Sequence, residues 1–153
     1  MVATKILNNV HIENRRAKFD YQFLEKLVAG MVLTGTEIKS IREGKAALVD
    51  SYCYFRNGEL YIKNLNITPY SEGTHYNHEP NRERKLLLTK PEIRRLDKKL
   101  KDQGLTIVPV KLFISESGYA KLEVALAKGK KEFDKRESIK KRDTEKEIAR
   151  KIK

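Results

Sequence analysis

His75 and His78, separated by two residues, are the first groups in this chain whose types and spacing could do chemistry, since with Cys53 or Glu79 they could share a metal ion. Such a site needs three or four ligands on a fixed scaffold. Both histidines fall instead in a stretch with no apolar period, no Cys-x-x-Cys occurs, and His11 stands apart near the N-terminus, so the stretch reads as a polar loop and no metal is expected. Ser40, Ser51, Ser71, Ser115, Ser117 and Ser138 offer hydroxyls, but none lies in a Gly-x-Ser-x-Gly turn. No Gly-x-x-x-x-Gly-Lys-Ser/Thr loop is present to cradle a nucleotide phosphate. Glu37 and Glu43 share a short helical stretch, the ordinary pattern of a solvated face. The expectation is a non-enzymatic protein with no catalytic residue and no cofactor.

The basic groups are more informative. Asn14-Arg15-Arg16-Ala17-Lys18 runs straight into Phe19-Asp20-Tyr21, which sets guanidinium groups for phosphates beside rings that can stack on bases. That combination suits RNA, although the same residues would also make a solvated arm ahead of the first core element. Arg82, Arg84 and Lys85 form a second cluster before Leu86-Leu87-Leu88. Taken alone, Leu87 reads as a core residue; exposed beside arginines, it would pack on a sugar or base. A third basic stretch, the 24 residues from Lys130 to Lys153, holds 11 Lys/Arg and 6 Asp/Glu and cannot bury a core of its own. The net charge of +12 is not confined to it, since residues 1–129 carry 22 basic against 15 acidic groups. Charge so distributed favours a polyanionic partner, because each neutralised phosphate releases condensed counterions.

No run approaches ~18 apolar residues and the first 15 residues lack a signal-peptide pattern, so a membrane role is not expected and the cytoplasm is the expected location. Cys53 is the single cysteine, which excludes an intramolecular disulfide and reads as a small buried hydrophobe on a strand.

These side chains must be positioned by strands. Ser51 to Ile67 holds two strand-prone runs around Asn57-Gly58, the signature of a type I′ hairpin turn. A second pair is predicted at Thr106–Ile114 and Tyr119–Ala127 around Ser115–Gly118, with Leu122, Val124 and Leu126 on a core face and Lys121, Glu123 and Ala125 on an available one. Thr89 and Glu92 have capping-box spacing with Pro91 in the first turn, which predicts a helix carrying Ile93, Leu96 and Leu100, with Gly104 able to close it. A shorter helix is predicted over Thr36–Glu43, with Ile38 and Ile41 inward and Gly44 as its stop. Tyr21 to Leu33 fits either period. Gly30 and Val32-Leu33-Thr34 favour a strand. Pro69 to Arg84 is expected to be an exposed loop. Antiparallel hairpins with interspersed helices suggest a mainly β fold with two or three short added helices, an OB-type antiparallel barrel by analogy.

Taken in order, the motifs resemble the small protein B (SmpB) family, the bacterial partners of transfer-messenger RNA (tmRNA, also called SsrA). The matching stretches are Asn14 to Ala17, Ala29-Gly30, Leu33 to Ser40, Arg42 to Ala46, Asp50 to Tyr52, Ile67 to Tyr70, Asn77 to Pro80, Arg84 to Leu88, Gly104 to Pro109, Ala125 to Lys131 and Asp134 to Arg136. The resemblance implies an OB-type RNA-binding body over 1–129 and a basic tail over 130–153, disordered when free and helical in the empty messenger channel of a stalled ribosome. It implies tmRNA contacts by Asn14, Arg15, Arg16, Lys18, Leu87, Lys128, Lys130 and Lys131 on the RNA's tRNA-like domain. To the decoding site and messenger channel it assigns Phe19, Tyr21, Asp134, Lys135, Arg136, Lys140, Lys141, Arg142, Ile148 and Ile152.

Three positions depart from the family pattern. Val28 stands where relatives carry a glutamate on the RNA surface, Phe19 where many have histidine, and Thr144 where some have tryptophan in the tail. Within the tail, Glu132 with Arg136, Glu137 with Lys141 and Glu147 with Lys151 are acid-first pairs at helical spacing, each worth a few tenths of a kcal/mol and marginal without a partner. The implied function is delivery of alanyl-tmRNA, together with elongation factor Tu, to stalled 70S ribosomes for trans-translation, by a monomer. Basic charge and a barrel would also suit a general single-stranded-RNA-binding or ribosome-assembly protein.

Overall fold

The structure is a computed structural model and describes residues 10–73, 77–101 and 104–130. In chain order the elements are β1 (His11–Glu13), α1 (Arg15–Asp20), β2 (Tyr21–Met31), α2 (Gly35–Arg42), β3 (Ala46–Ala47), β4 (Tyr52–Arg56), β5 (Glu59–Lys63), β6 (Asn66–Ile67), β7 (Arg84–Leu87), α3 (Lys90–Lys99), β8 (Leu105–Ile114) and β9 (Ala120–Gly129). The architecture is mainly antiparallel β with three helices. Seven strands form one sheet in the order β1-β8-β9-β2-β7-β5-β4, and β3 pairs with β6 in a small two-stranded one. β4, at one end of the order, also packs against β8.

Local chemistry sets the boundaries. Asn57 and Gly58 have φ of 51° and 76°, the two positive values a type I′ turn requires, and they join β4 to β5 with Arg56 opposite Glu59. Tyr21 to Met31 is a strand, as Gly30 favours. The chain leaves the sheet before Leu33 because Thr34 caps α2: its side chain accepts from the Glu37 N–H while Glu37 accepts from the Thr34 N–H at 2.8 Å. This capping box starts α2 one residue ahead of the sequence expectation. The box at Thr89 and Glu92 opens α3 with Pro91 in its first turn. α3 ends at Leu100, and Gly104, with φ of 84°, turns the chain into β8 rather than capping the helix.

The main core gathers Ile41 of α2, Leu60 and Ile62 of β5, Leu86 of β7, Leu96 of α3, and Leu112, Leu122 and Val124 of β8 and β9. One expectation fails here. Past Val124 both faces of β9 are buried, Ala125 and Ala127 as completely as Leu122, because Ala17 of α1 and Val108 and Val110 of β8 close a second, smaller core over them. Residues 14–20 are thus a capped helix lying on the sheet, not a solvated arm. Two bulges accommodate it, between Phe23 and Glu25 in β2 and between Pro109 and Lys111 in β8, each re-aiming the side chains beyond it.

Candidate nucleic-acid interface

Asn14 is the anchor of the first basic cluster. It is buried, its Oδ1 accepts from the Ala17 N–H at 3.2 Å, its Nδ2 donates to the Pro109 carbonyl at 2.9 Å, and its own N–H donates to Val110 O. One side chain therefore caps α1 and fastens it to the β8 bulge. Around it Arg15 and Lys18 are exposed, and Arg16 holds Asp20 at 2.9 Å, one helical turn on, with its side chain 72% exposed. Tyr21 and Phe23 pack against the small core beneath this helix, while Phe19 is half-buried. After β9 the chain returns to α1, where the Lys130 N–H donates to Asp20 O at 2.9 Å and its Nζ to Lys18 O at 3.2 Å. Lys130 thus lies beside Lys18 and Asp20 of α1, and Lys128 is exposed at the end of β9. Lys131, Asp134, Lys135, Arg136, Lys140, Lys141, Arg142, Ile148 and Ile152 lie outside the described residues, as do His75 and Thr144.

Leu87 faces outward at 49% exposure, contrary to the reading from its own residue type. Strand parity explains it: Arg84 and Leu86 turn inward, Lys85 and Leu87 outward. Gly30 is its register partner on β2, and a Cβ there would stand 3.3 Å from Leu87 Cβ. The glycine makes room for the leucine. Val28, at 51% exposure, lies on the same outer face directly across from Glu123 of β9, whose carboxylate sits 3.8 Å from Lys26. A carboxylate, that of Glu123, thus stands one strand away from Val28.

The second basic cluster goes elsewhere. Arg84 and Glu37 are completely buried and form an ion pair through Nε and Oε2. The remaining Arg84 nitrogens donate to Leu65 O at 2.7 Å, Glu79 O at 3.3 Å and Pro80 O at 3.2 Å, which ties those three residues to the ion pair with α2. Arg82 closes the group at 2.7 Å from Glu37 Oε1, and Lys85 pairs with Glu59 at 2.9 Å. Burial pushes the Glu37 carboxyl up, but hydrogen bonds from Arg82, the Thr34 N–H and Arg84 outweigh it and bring it to about 2. Burial likewise lowers Arg84 from its ordinary range, against the pull of Glu37. Glu37 is therefore no solvated helix face, and Arg82 and Arg84 are structural.

His78 belongs to the same inner group. Its Nε2–H donates to the Ile67 carbonyl at 2.9 Å, which leaves Nδ1 to accept from the Thr36 hydroxyl at 2.9 Å. Both ring nitrogens are engaged by protein. Asn77 adds two bonds to the Tyr70 backbone, so the described parts of the 69–83 segment are tied down rather than simply exposed. Cys53 is buried on β4, and burial pushes its thiol far up, away from a reactive thiolate. Among the described residues no group of three or more His, Cys, Asp or Glu could hold a metal ion, and no helix is long and apolar enough to cross a membrane.

An outward basic helix set over a β-sheet, with a leucine turned outward on β7, suits contact with a polyanion. The chain belongs to the SmpB protein family, whose model matches residues 11–153. It is 59% identical to the SsrA-binding protein of Phocaeicola vulgatus, over 94% of this chain and 96% of that one. With the SsrA-binding protein of Cytophaga hutchinsonii it shares 55% identity over 98% of both chains, and with that of Streptococcus mutans 48% over 97% and 96%. A solved chain described under "tmRNA-SmpB: a journey to the center of the bacterial ribosome" superposes with a TM-score of 0.68 at 50% identity, over 80% of this chain and 86% of that one.

Proposed function

We propose that this protein is a non-catalytic RNA-binding adaptor of trans-translation, which binds tmRNA and brings it to stalled ribosomes. The observation that carries the reading is the family match, which runs from His11 to Lys153 and so takes in the basic tail. The sheet closes as an OB-type barrel, β4 against β8, and presents α1 and Leu87 to the tRNA-like domain. Asn14 acts by positioning: it holds α1 so that Arg15, Arg16 and Lys18, with Lys128, Lys130 and Lys131, reach phosphates. Phe19 and Tyr21 approach the decoding site. Phe19 keeps the stacking ability of a ring while giving up the hydrogen bonds of a histidine.

Residues 130–153 become helical in the empty messenger channel, using Asp134, Lys135, Arg136, Lys140, Lys141, Arg142, Ile148 and Ile152, and so report that no message is present. The protein acts as a cytoplasmic monomer alongside elongation factor Tu and alanyl-tmRNA. Sequencing the RNA that co-purifies with the full chain tests the partner: one dominant structured RNA is expected, and a broad mixture would return the reading to a general single-strand binder. Deleting 130–153 should spare affinity for the isolated RNA and abolish tagging on stalled ribosomes. Tagging by the truncated chain would overturn the division between body and tail.

A further inference from the structure

The β4–β5 hairpin carries an outward feature that the tmRNA reading does not use. Strand parity buries Cys53, Leu60 and Ile62 and turns Tyr52, Tyr54 and Arg56 of β4, with Glu59, Tyr61 and Lys63 of β5, to the other face. Register places Tyr54 directly opposite Tyr61. Three rings consequently stand in series: Tyr52 and Tyr54 have centroids 6.0 Å apart, Tyr54 and Tyr61 6.1 Å at 28° between planes, and the Arg56 guanidinium lies 4.3 Å over Tyr61.

The row is continuous at both ends with the surfaces already described. Tyr52, itself exposed, lines a cleft of about 220 Å³ together with Arg16 and Tyr21. Tyr61 is the register partner of Lys85 on β7, two residues before Leu87 on the same face. Glu83 and Glu59 beside the row are matched by Arg56 at 2.8 Å and Lys85 at 2.9 Å, while the cleft at the Tyr52 end also holds Asp50 and Asp20, the latter paired with Arg16. Neither Glu83 nor Glu59 stands alone to repel a phosphate backbone.

We propose that the Tyr52–Tyr54–Tyr61 row, with Arg56, is a second RNA contact, a stacking platform for two or three bases of an unpaired strand. Rings give sequence-tolerant stacking, and Arg56, held over Tyr61 and by Glu83, extends the stacked surface with its guanidinium plane. Single-stranded RNA fits better than a protein, because the rings stand in series with exposed Lys63 on the same face, on a chain of net charge +12. The platform reads a different RNA element from the tRNA-like domain, so its test uses an RNA with no such fold.

A fluorescein-labelled uridine 12-mer titrated with the full chain provides that test. Tyr54→Thr with Tyr61→Thr, which keeps β propensity and removes the rings, should weaken binding about tenfold or more, while the salt dependence of affinity stays the same. Tyr54→Phe with Tyr61→Phe should bind like the parent. Parent-like affinity of a folded Thr variant would overturn the platform. A second readout holds if that variant does not fold. The chain has seven tyrosines and no tryptophan, so its emission is tyrosine emission, and stacking should quench it in the parent. A 5-iodouridine 12-mer should crosslink to Tyr52, Tyr54 or Tyr61. Crosslinks confined to other residues, or an Arg56→Gln variant with undiminished affinity, would overturn the assignment, as would a protein held by this face in place of RNA.

Discussion

Asn14 to Lys18 and Arg82 to Lys85 look alike as sequence, each a short run of cations beside aromatic or apolar residues, yet they have opposite fates. In the first, the neutral member is buried and the cations stay in water. In the second, a cation is buried at the centre and its neighbours are taken up by acids. The difference is not in the runs but in what faces them from a distance. Glu37, more than forty residues before Arg84, draws two guanidinium groups inward, whereas α1 finds in the Pro109 carbonyl a neutral acceptor that the Asn14 amide meets. A buried ion pair ties Leu65, Glu79 and Pro80 to α2; a buried amide holds a charged helix to the sheet. Charge density alone does not distinguish a ligand surface from a fastener.

The contrast can be broken most severely at Arg84. Arg84→Ala leaves Glu37 buried with Arg82 as its remaining cation and takes the donor from the Leu65, Glu79 and Pro80 carbonyls, and should cost ~3–5 kcal/mol in urea unfolding; near-parental stability would mean that the inner cluster is not structural. Next in size is the acid sensitivity that Glu37 confers. Its folded pKa lies well below the ordinary 4.5, at about 2, so its stabilisation is complete above the unfolded-state value and is lost as pH falls from about 5 through 2. The pH-dependent part amounts to ~3 kcal/mol, and Glu37→Gln should flatten that limb of the stability–pH curve.

Asn14→Ala should cost ~1–2 kcal/mol, through the lost cap and the unmatched Pro109 carbonyl, and should lower RNA affinity as α1 loosens. The smallest expected effect on stability is the sharpest test. Arg15→Gln with Lys18→Gln should change unfolding by no more than ~0.5 kcal/mol, yet reduce the slope of log affinity against log salt by about two. A stability loss matching that of Asn14→Ala would erase the distinction between anchor and cations.

Much of the fold was legible because it rests on short-range rules. Asn57-Gly58, the Thr89 capping box and the parity of β4, β5 and β9 each follow from residues within a few positions of one another. What was not legible depends on partners far along the chain. The second core over Ala125 and Ala127 needs α1, more than a hundred residues earlier, and two bulges that no period announces. The Thr34–Glu37 box had the same signature as the one at Thr89 and could have been found; its neighbouring Leu33 read as a continuing strand. Arg15, Arg16 and Lys18 are exposed, as their types suggested. The burial of Asn14 was not legible, because its Pro109 partner lies far along the chain. The exposure of Leu87 follows from strand parity, once Arg84 is known to turn inward, a turn that only Glu37 explains.

The two bulges lie on opposite flanks of β9, at Ala127–Leu126 on one side and Val124–Glu123 on the other, while β9 itself runs unbroken between them. In mechanical terms β9 is the ridge of a folded plate, with the bends taken up by its neighbours. Slow hydrogen exchange should therefore persist longest along Leu122 to Leu126, and the sheet should open by peeling β2 and β8 away from that ridge, releasing α1 before the core gives way.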